Sequence, residues 1–209
     1  MRARNRNRGA TPGFLFLFAL LLYLDTSGMV LLGLFACILH EAGHWVALSC
    51  TGNGVRGFCL TLFGAKMEPE APMGLLQEFV AAAVGPVVNL ALAVMFSRLP
   101  GGSAFAGINL ALGTFNLLPV GELDGGRMVR CILFLWLEDE PARRILRCLE
   151  FCFTAIFFCL GVWFSMRYGN LSLLLMSLWL VIGHREEKTS DFQKKNGKRG
   201  CQTVRKRLK

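Results

Sequence analysis

Residues 29–48 read MVLLGLFACILHEAGHWVAL, an apolar run interrupted by the motif HEAGH at residues 40–44. Because residues four apart share one face of a helix, the rings of His40 and His44 can both reach a single metal ion. Glu41 between them can hydrogen-bond a metal-bound water, as in hydrolytic zinc sites. Ionisable groups at membrane depth are costly and are rarely kept without a function. This placement therefore favours a metal site over a chance match in a soluble helix.

The composition is that of a membrane protein. Of the 209 residues, 54% are hydrophobic and 17 are Phe, and the mean hydropathy is +0.47; a soluble domain of this length is usually less apolar. Apolar stretches long enough, or nearly long enough, to cross a bilayer recur along the chain. They are Thr11–Ser27, Met29–Cys50, Leu75–Phe96, Ala104–Leu118, Leu149–Met166 and Asn170–Ile182. The sequence predicts an all-α polytopic membrane protein with about six transmembrane helices, the first and last of them short.

The distribution of basic residues predicts the orientation of the chain in the membrane. With both termini inside, every Lys and Arg falls on the inner side except Arg98 and Arg167, as the positive-inside rule requires. The net charge of +9 therefore indicates no nucleic-acid partner, and anionic lipid is the expected counter-charge. We predict a multi-pass protein of the cell membrane with both termini in the cytoplasm.

Three segments are expected along the chain: a basic cytoplasmic N-terminus at 1–10, a membrane domain at 11–184 and a basic, disordered cytoplasmic tail at 185–209. The Arg-rich start is typical of a signal peptide, but no clear cleavage site follows the first apolar run, so a retained first span is predicted. The eight cysteines form no C-x-x-C pair and are expected to stay reduced.

The segment after the second span has the composition of a β-structure. Residues 51–54, TGNG, are turn residues, and Val55–Met67 is rich in β-branched and aromatic residues that are broken by Gly64. We expect a short membrane-associated hairpin or edge strand, Gly57–Leu62 with Lys66–Glu68 behind it. Backbone of this kind at membrane depth must be shielded or line a watery cavity.

A Gly-Pro pair interrupts the third predicted span. It belongs to the sequence GPVVN at residues 85–89, where proline removes a backbone donor and glycine permits close helix contact. Asn89 then has two interpretations, which the span alone leaves even. It is either bonded to a freed carbonyl in a kinked packing helix, or it points its amide into an active site.

The fourth predicted span ends in NLLPVGELDGG at residues 116–126. Its glycines and proline predict that the chain unwinds here, on the same inner side as the histidines. A catalytic zinc takes three protein ligands, and an Asp or Glu oxygen is the most plausible third. Of the two candidates, Asp124 is better than Glu122 because Gly125 and Gly126 let backbone come close. A solvated turn would explain the glycines but not carboxylates between apolar residues.

Together, the three motifs resemble the site-2 protease family of intramembrane zinc metalloproteases. The family signature is H-E-x-x-H, G-P-x-x-N and L-D-G, which stand here in that order at residues 40–44, 85–89 and 123–125. The compact layout, with LFGA at 62–65 and NLLP at 116–119, is most similar to the stage IV sporulation protease branch. One departure is Glu122, where the family often has proline.

The resemblance implies a set of site residues and partners. Its cofactor is Zn²⁺, and the implied roles are the zinc ligands His40, His44 and Asp124, the general base Glu41, and the substrate contacts Asn89 and Gly64. The implied partner is a membrane-associated protein substrate, with a pro-sigma factor, an anti-sigma factor and signal-peptide remnants all open, together with regulatory membrane partners. Two other classes stay open: a zinc transporter, which needs acceptor sites across the membrane and no general base, and a catalytically inactive membrane scaffold.

Overall fold

The computed structural model describes residues 8–10, 12–61, 64–121, 123–169 and 174–175. Its helices and strands are, in chain order, β1 (Arg8–Ala10), α1 (Pro12–Leu24), α2 (Met29–Cys50), β2 (Val55–Thr61), β3 (Gly64–Pro69), α3 (Leu75–Ser97), α4 (Ser103–Asn116), α5 (Asp124–Trp136) and α6 (Asp139–Tyr168). The structure is therefore mostly helical, as the composition predicts.

The described residues fall into two compact units. The first holds those up to Pro119 together with Leu123–Leu146, so it contains the sheet, α1–α5 and the start of α6. The second holds Val120, Gly121 and the described residues from Arg147 onward. In this second unit the rings of Trp163, Phe164 and Tyr168 pack against one another at the C-terminal end of α6.

Within the described part of the chain, α2, α3 and α6 are long and apolar enough to cross a membrane. α1 and α4 form where helices are predicted, but with 13 and 14 residues they are shorter than the ~20 that a span usually needs. α6 is longer than the predicted span because it begins at Asp139. The last predicted span, Asn170–Ile182, lies outside the described residues except at 174–175. The count of about six spans stays a prediction.

A three-stranded sheet has the order β1-β2-β3. β1 pairs with β2 in parallel, and β3 pairs with β2 antiparallel, with Thr61 opposite Gly64 and Val55 opposite Pro69. β2 therefore has a neighbour on each side, and the edge position considered for Gly57–Leu62 is wrong. The reason is a pairing with residues near the N-terminus, which a local pattern cannot reveal. Leu62 and Phe63 lie outside the described residues.

Small residues bring α2, α3 and α4 close together. A Cβ on Gly43 of α2 would lie 3.1 Å from Val88 Cγ2 of α3, and one on Gly113 of α4 would lie 3.2 Å from Asn89 Cβ. Five alanines of α2 and α3 are buried as well: Ala36, Ala47, Ala81, Ala82 and Ala93. Such small-residue packing is typical of membrane helices, whose association cannot rely on hydrophobic burial. It leaves a narrow interior in which five polar side chains are buried: His40, His44, Asn89, Asn109 and Asp124.

The unwound segment between α4 and α5 is shorter than the sequence predicts. α4 ends at Asn116 and α5 begins at Asp124, so Gly125 and Gly126 lie in the first turn of a helix rather than in a loop. Leu123 has an extended backbone and precedes that turn, while Gly121 takes a left-handed conformation with φ of 47°. The carboxylate of Asp124 is thus fixed at a helix N-terminus.

Candidate metal centre

Two histidines and one aspartate converge in the first unit. The Nε2 atoms of His40 and His44 are 3.1 Å apart, and Asp124 Oδ2 lies 3.1 Å from the first and 3.2 Å from the second. Ligands held ~2 Å from a tetrahedral metal are themselves about 3 to 3.5 Å apart. Among the described residues these three form the group that could hold a metal ion. Its donor set, two imidazole nitrogens and a carboxylate oxygen, is one that catalytic zinc uses.

The outer nitrogen of each ring is bonded to an oxygen of α3. Asn89 Oδ1 lies 2.5 Å from His40 Nδ1, and the carbonyl oxygen of Ala81 lies 2.7 Å from His44 Nδ1. Because both oxygens accept, each Nδ1 donates a proton, and the lone pair of each neutral ring lies on Nε2, where the metal would be. The rings are therefore held in the tautomer that ligation needs.

Asp124 is anchored through its second oxygen. Arg127 Nη1, one turn further along α5, lies 3.6 Å from Asp124 Oδ1. Burial by itself raises the pKa of the Asp124 carboxyl, but the adjacent imidazole rings of His40 and His44 outweigh it and lower that pKa to about 2. The carboxyl is therefore ionised at neutral pH, as a metal ligand must be.

Glu41 lies beside the ligand group without being part of it. Its side chain is half-buried and interacts electrostatically with His44, His40, Asp124 and Arg127. The three ligands themselves are only 5% to 8% exposed. A carboxylate next to a buried ligand set is where a general base of metal-assisted hydrolysis must be.

Glycine allows α3 to reach the histidine rings. A Cβ on Gly85 would lie 2.4 Å from His44 Nε2 and 2.8 Å from His40 Cε1, closer than any side chain could be accommodated. Pro86, which follows it, is buried and has no N–H to donate to the carbonyl one turn earlier in α3. The sequence predicts Gly85 as a helix-contact residue, and the structure places that contact on the two ligand rings.

Of the two predicted substrate residues, the structure buries Asn89 and places Gly64 in the sheet. The Asn89 side chain is 0% exposed and bonds to His40 and Asn109, so it lies behind a ligand ring. Gly64 lies in the sheet opposite Thr61. Substrate contact by either residue stays a prediction, and Glu122 lies outside the described residues.

Sequence reasoning missed several residues that build this centre. They are Asn109, Arg127 and the carbonyl of Ala81. The signal for Asn109 was an amide inside a predicted span, which is costly unless it is bonded. The signal for Arg127 was a cation one helical turn from the candidate ligand. Every residue has a backbone carbonyl, so the sequence gives no signal for the role of the one at Ala81.

Comparison with known proteins supports the chemistry of this group. The model of peptidase family M50 matches residues 103–160, which include α4 and Asp124. The chain is 35% identical over 140 residues to a Synechocystis protein named as a zinc metalloprotease, and 35% identical over 131 residues to one of Mycobacterium tuberculosis, Rip3. These alignments cover 60% and 54% of this chain but 34% and 32% of the relatives. The chain thus spans about a third of the length of these curated relatives.

A solved structure has the same fold. The site-2 protease from Methanocaldococcus jannaschii superposes with a TM-score of 0.63 at 24% identity, covering 83% of this chain and 85% of that one. This likeness shows the fold, while the family model and the relatives make part of the chain similar to peptidase family M50 and to proteins named zinc metalloproteases. The group of His40, His44 and Asp124 fits the predicted cofactor, Zn²⁺. The sporulation branch stays a prediction.

Proposed function

We propose that this protein is an intramembrane zinc metalloendopeptidase that cleaves a membrane-associated or transmembrane protein. The observation that carries the proposal is the convergence of His40 Nε2, His44 Nε2 and Asp124 Oδ2 within 3.2 Å of one another. The group is buried between α2, α3 and α5, and two of these helices are candidate membrane spans. Glu41 beside the group favours hydrolysis over transport or a scaffold role, since neither of those needs a base.

In the proposed reaction the chain supplies the metal ligands and a general base. Zinc, when bound, supplies Lewis acidity that makes water a nucleophile at neutral pH. Glu41 takes the proton from the attacking water and returns it to the leaving amine. His40, His44 and Asp124 keep their positions through this transfer because each has a second partner behind it.

The sheet supplies a way to hold the substrate. A transmembrane helix hides its carbonyls in its own hydrogen bonds, so a substrate must unwind before hydrolysis. An extended segment could then add to the outer edge of β3, which begins at Gly64 and has one neighbouring strand among the described residues. Proline at successive positions of β3 should lower cleavage while sparing zinc content.

The finer proposal concerns the substrate and the setting. A pro-sigma factor processed during sporulation is supported by the likeness of residues 62–65 and 116–119 to the sporulation branch, and an anti-sigma factor is the second candidate. We further propose a multi-pass arrangement in the cell membrane, with both termini cytoplasmic, the basic segments 1–10 and 185–209 on anionic lipid, and regulatory membrane partners.

Co-expression with tagged pro-sigma and anti-sigma substrates tests the proposal. Glu41→Gln should lower cleavage by about 100-fold or more while zinc content is unchanged, and Asp124→Ala should lose both zinc and cleavage. The matched control is Asp139→Asn, which makes the same carboxylate-to-amide change at an exposed ion pair. Parent protein that holds no zinc, or variants that cleave as well as the parent, would overturn the assignment. The substrate that the parent cleaves decides between the two candidates.

A further inference from the structure

Two buried amides lie behind His40, one on α3 and one on α4. Asn89 Nδ2 donates to Asn109 Oδ1 over 2.7 Å, and Asn109 Nδ2 donates to the carbonyl oxygen of Phe105 over 2.9 Å. Both side chains are 0% exposed. We call these two side chains the amide relay, because they connect the His40 ring to the backbone of α4.

The orientation of the two amide groups is fixed by the Phe105 carbonyl, which lies at the end of the amide relay away from His40. A backbone carbonyl only accepts, so the Asn109 group that faces Phe105 must be the NH₂, and its oxygen must face Asn89. The same reasoning then places the NH₂ of Asn89 toward Asn109 and its oxygen toward His40. His40 Nδ1 must therefore be the protonated nitrogen. Without the Phe105 carbonyl, both amides could rotate by 180°, and Asn89 would then present its NH₂ to the His40 ring.

The packing of α3 and α4 is arranged around this contact. A Cβ on Gly113, one turn along α4 from Asn109, would lie 3.2 Å from Asn89 Cβ and 3.3 Å from the side chain of Leu90. The second acceptor near Asn89 Nδ2 is the Ala36 carbonyl, at 3.4 Å, a long hydrogen bond. Asn89 is thus held mainly by Asn109, across a helix interface that glycine keeps short.

We propose that Asn89 and Asn109 are positioning residues of the metal centre, which hold His40 in the Nδ1-protonated tautomer so that Nε2 faces the metal. The inference rests on the proposed metal site but not on proteolysis. It gives Asn89 a role behind the ligand that differs from the predicted contact with substrate. It also assigns a function to Asn109, which touches neither ligand nor metal.

Zinc affinity of the purified protein tests the amide relay. Loss of such an outer partner typically weakens metal binding by about 10- to 100-fold, and Asn109→Leu should weaken zinc binding by about 10-fold, measured by competition with a chelator. Asn109→Asp should keep most of the zinc affinity that Asn109→Leu loses. A buried, protonated carboxyl at this position has both an acceptor for Asn89 and a donor for the Phe105 carbonyl. Thr114→Val is the matched control, since it removes an exposed hydrogen bond within the same helix.

Histidine NMR gives a readout that general destabilisation would not produce. The chain has three histidines, so ¹⁵N-histidine labelling of the protein with and without bound zinc gives few resonances to assign. His40 should show a protonated, slowly exchanging Nδ1 in the parent, and Asn109→Leu should shift that resonance while leaving His44, bonded to a backbone carbonyl, unchanged. In the zinc-free parent, a His40 that is protonated at Nε2 rather than at Nδ1 would overturn the inference even if no variant folds.

The outcomes for the amide relay and for the proposed function are separable. Parent protein without stoichiometric zinc contradicts the proposed function. Parent protein that binds zinc, with Asn109→Leu binding it equally well, contradicts the amide relay and leaves the proposed function intact. Equal shifts of His40 and His44 in Asn109→Leu would assign Asn109 to packing alone and would also overturn the inference.

Discussion

Two regions of the chain meet at the metal centre, and they are built by different means. α2 presents His40 and His44 through helical periodicity, so the spacing in the sequence suffices to bring the rings together. Asp124 comes from 80 residues further along and reaches the rings only because α5 begins at the right place against α3. The two histidines therefore form a local half of the site, which sequence spacing determines. Asp124 forms a distant half, which depends on long-range packing. Substitutions that touch no ligand should consequently affect the aspartate side more.

The largest effect is expected for Gly85→Ala, a substitution in α3 that acts on the two histidines of α2. The new Cβ would lie 2.4 Å from His44 Nε2 and 2.8 Å from His40 Cε1, so the rings and α3 must move apart. We expect loss of bound zinc and of cleavage, measured by metal analysis and substrate processing. Gly107→Ala is the control, because a Cβ there meets nothing within 4 Å. Full zinc occupancy in Gly85→Ala would contradict the geometry of α3 against the rings.

Gly125→Ala tests the distant half without touching a ligand. Its Cβ would lie 2.1 Å from the carbonyl oxygen of Leu117, so the first turn of α5 would have to shift and take Asp124 with it. A displacement of ~1 Å can cost about 100-fold in rate, and we expect a loss of that order in cleavage together with weaker zinc binding. A rate within a few-fold of the parent would show that Asp124 does not depend on this contact.

The parts of the fold that the sequence predicts are those governed by local rules. α2 begins and ends at the predicted residues, and α3 at Leu75 and Ser97 differs from the prediction by one residue, because continuous apolar runs define both. β1 was not predicted, since its only signal is pairing with β2. α5 was missed because Arg127 and Arg130 make it unlike a membrane span, although its periodicity is helical.

The candidate site divides in the same way. The motif at 40–44 predicts the paired histidines, and a need for a third ligand predicts Asp124; the structure brings all three together. Their outer partners could not be predicted, because Asn109 and the Ala81 carbonyl acquire a role only when α3 and α4 are packed on α2. The ligands can thus be identified from the donor atoms that zinc needs. The groups that orient them are determined by how the helices pack.

An ion pair between α3 and α5 gives a moderate test of the distant half. Arg130 Nη2 of α5 is paired with Glu78 Oε1 of α3, which fixes the helix that carries Asp124. Both residues are partly exposed, so the pair should contribute about 1 kcal/mol, and Glu78→Gln or Arg130→Gln should weaken zinc binding by about 5-fold. The double variant Glu78→Arg with Arg130→Glu should recover most of it. Additive losses in the double variant would show that the pair does not act as a unit.

Arg127→Gln should have the smallest effect and gives the sharpest contrast between the two halves. Arg127 lies 3.6 Å from Asp124 Oδ1 and is one-third exposed, so salt screens the interaction and its loss should weaken zinc binding by only about 2- to 3-fold at low ionic strength. The corresponding partner of His44 is the Ala81 carbonyl, which no side-chain substitution removes. Zinc titrations at low and high salt should therefore converge for parent and Arg127→Gln as salt rises. A difference that persists at high salt would mean that Arg127 acts by packing rather than by charge.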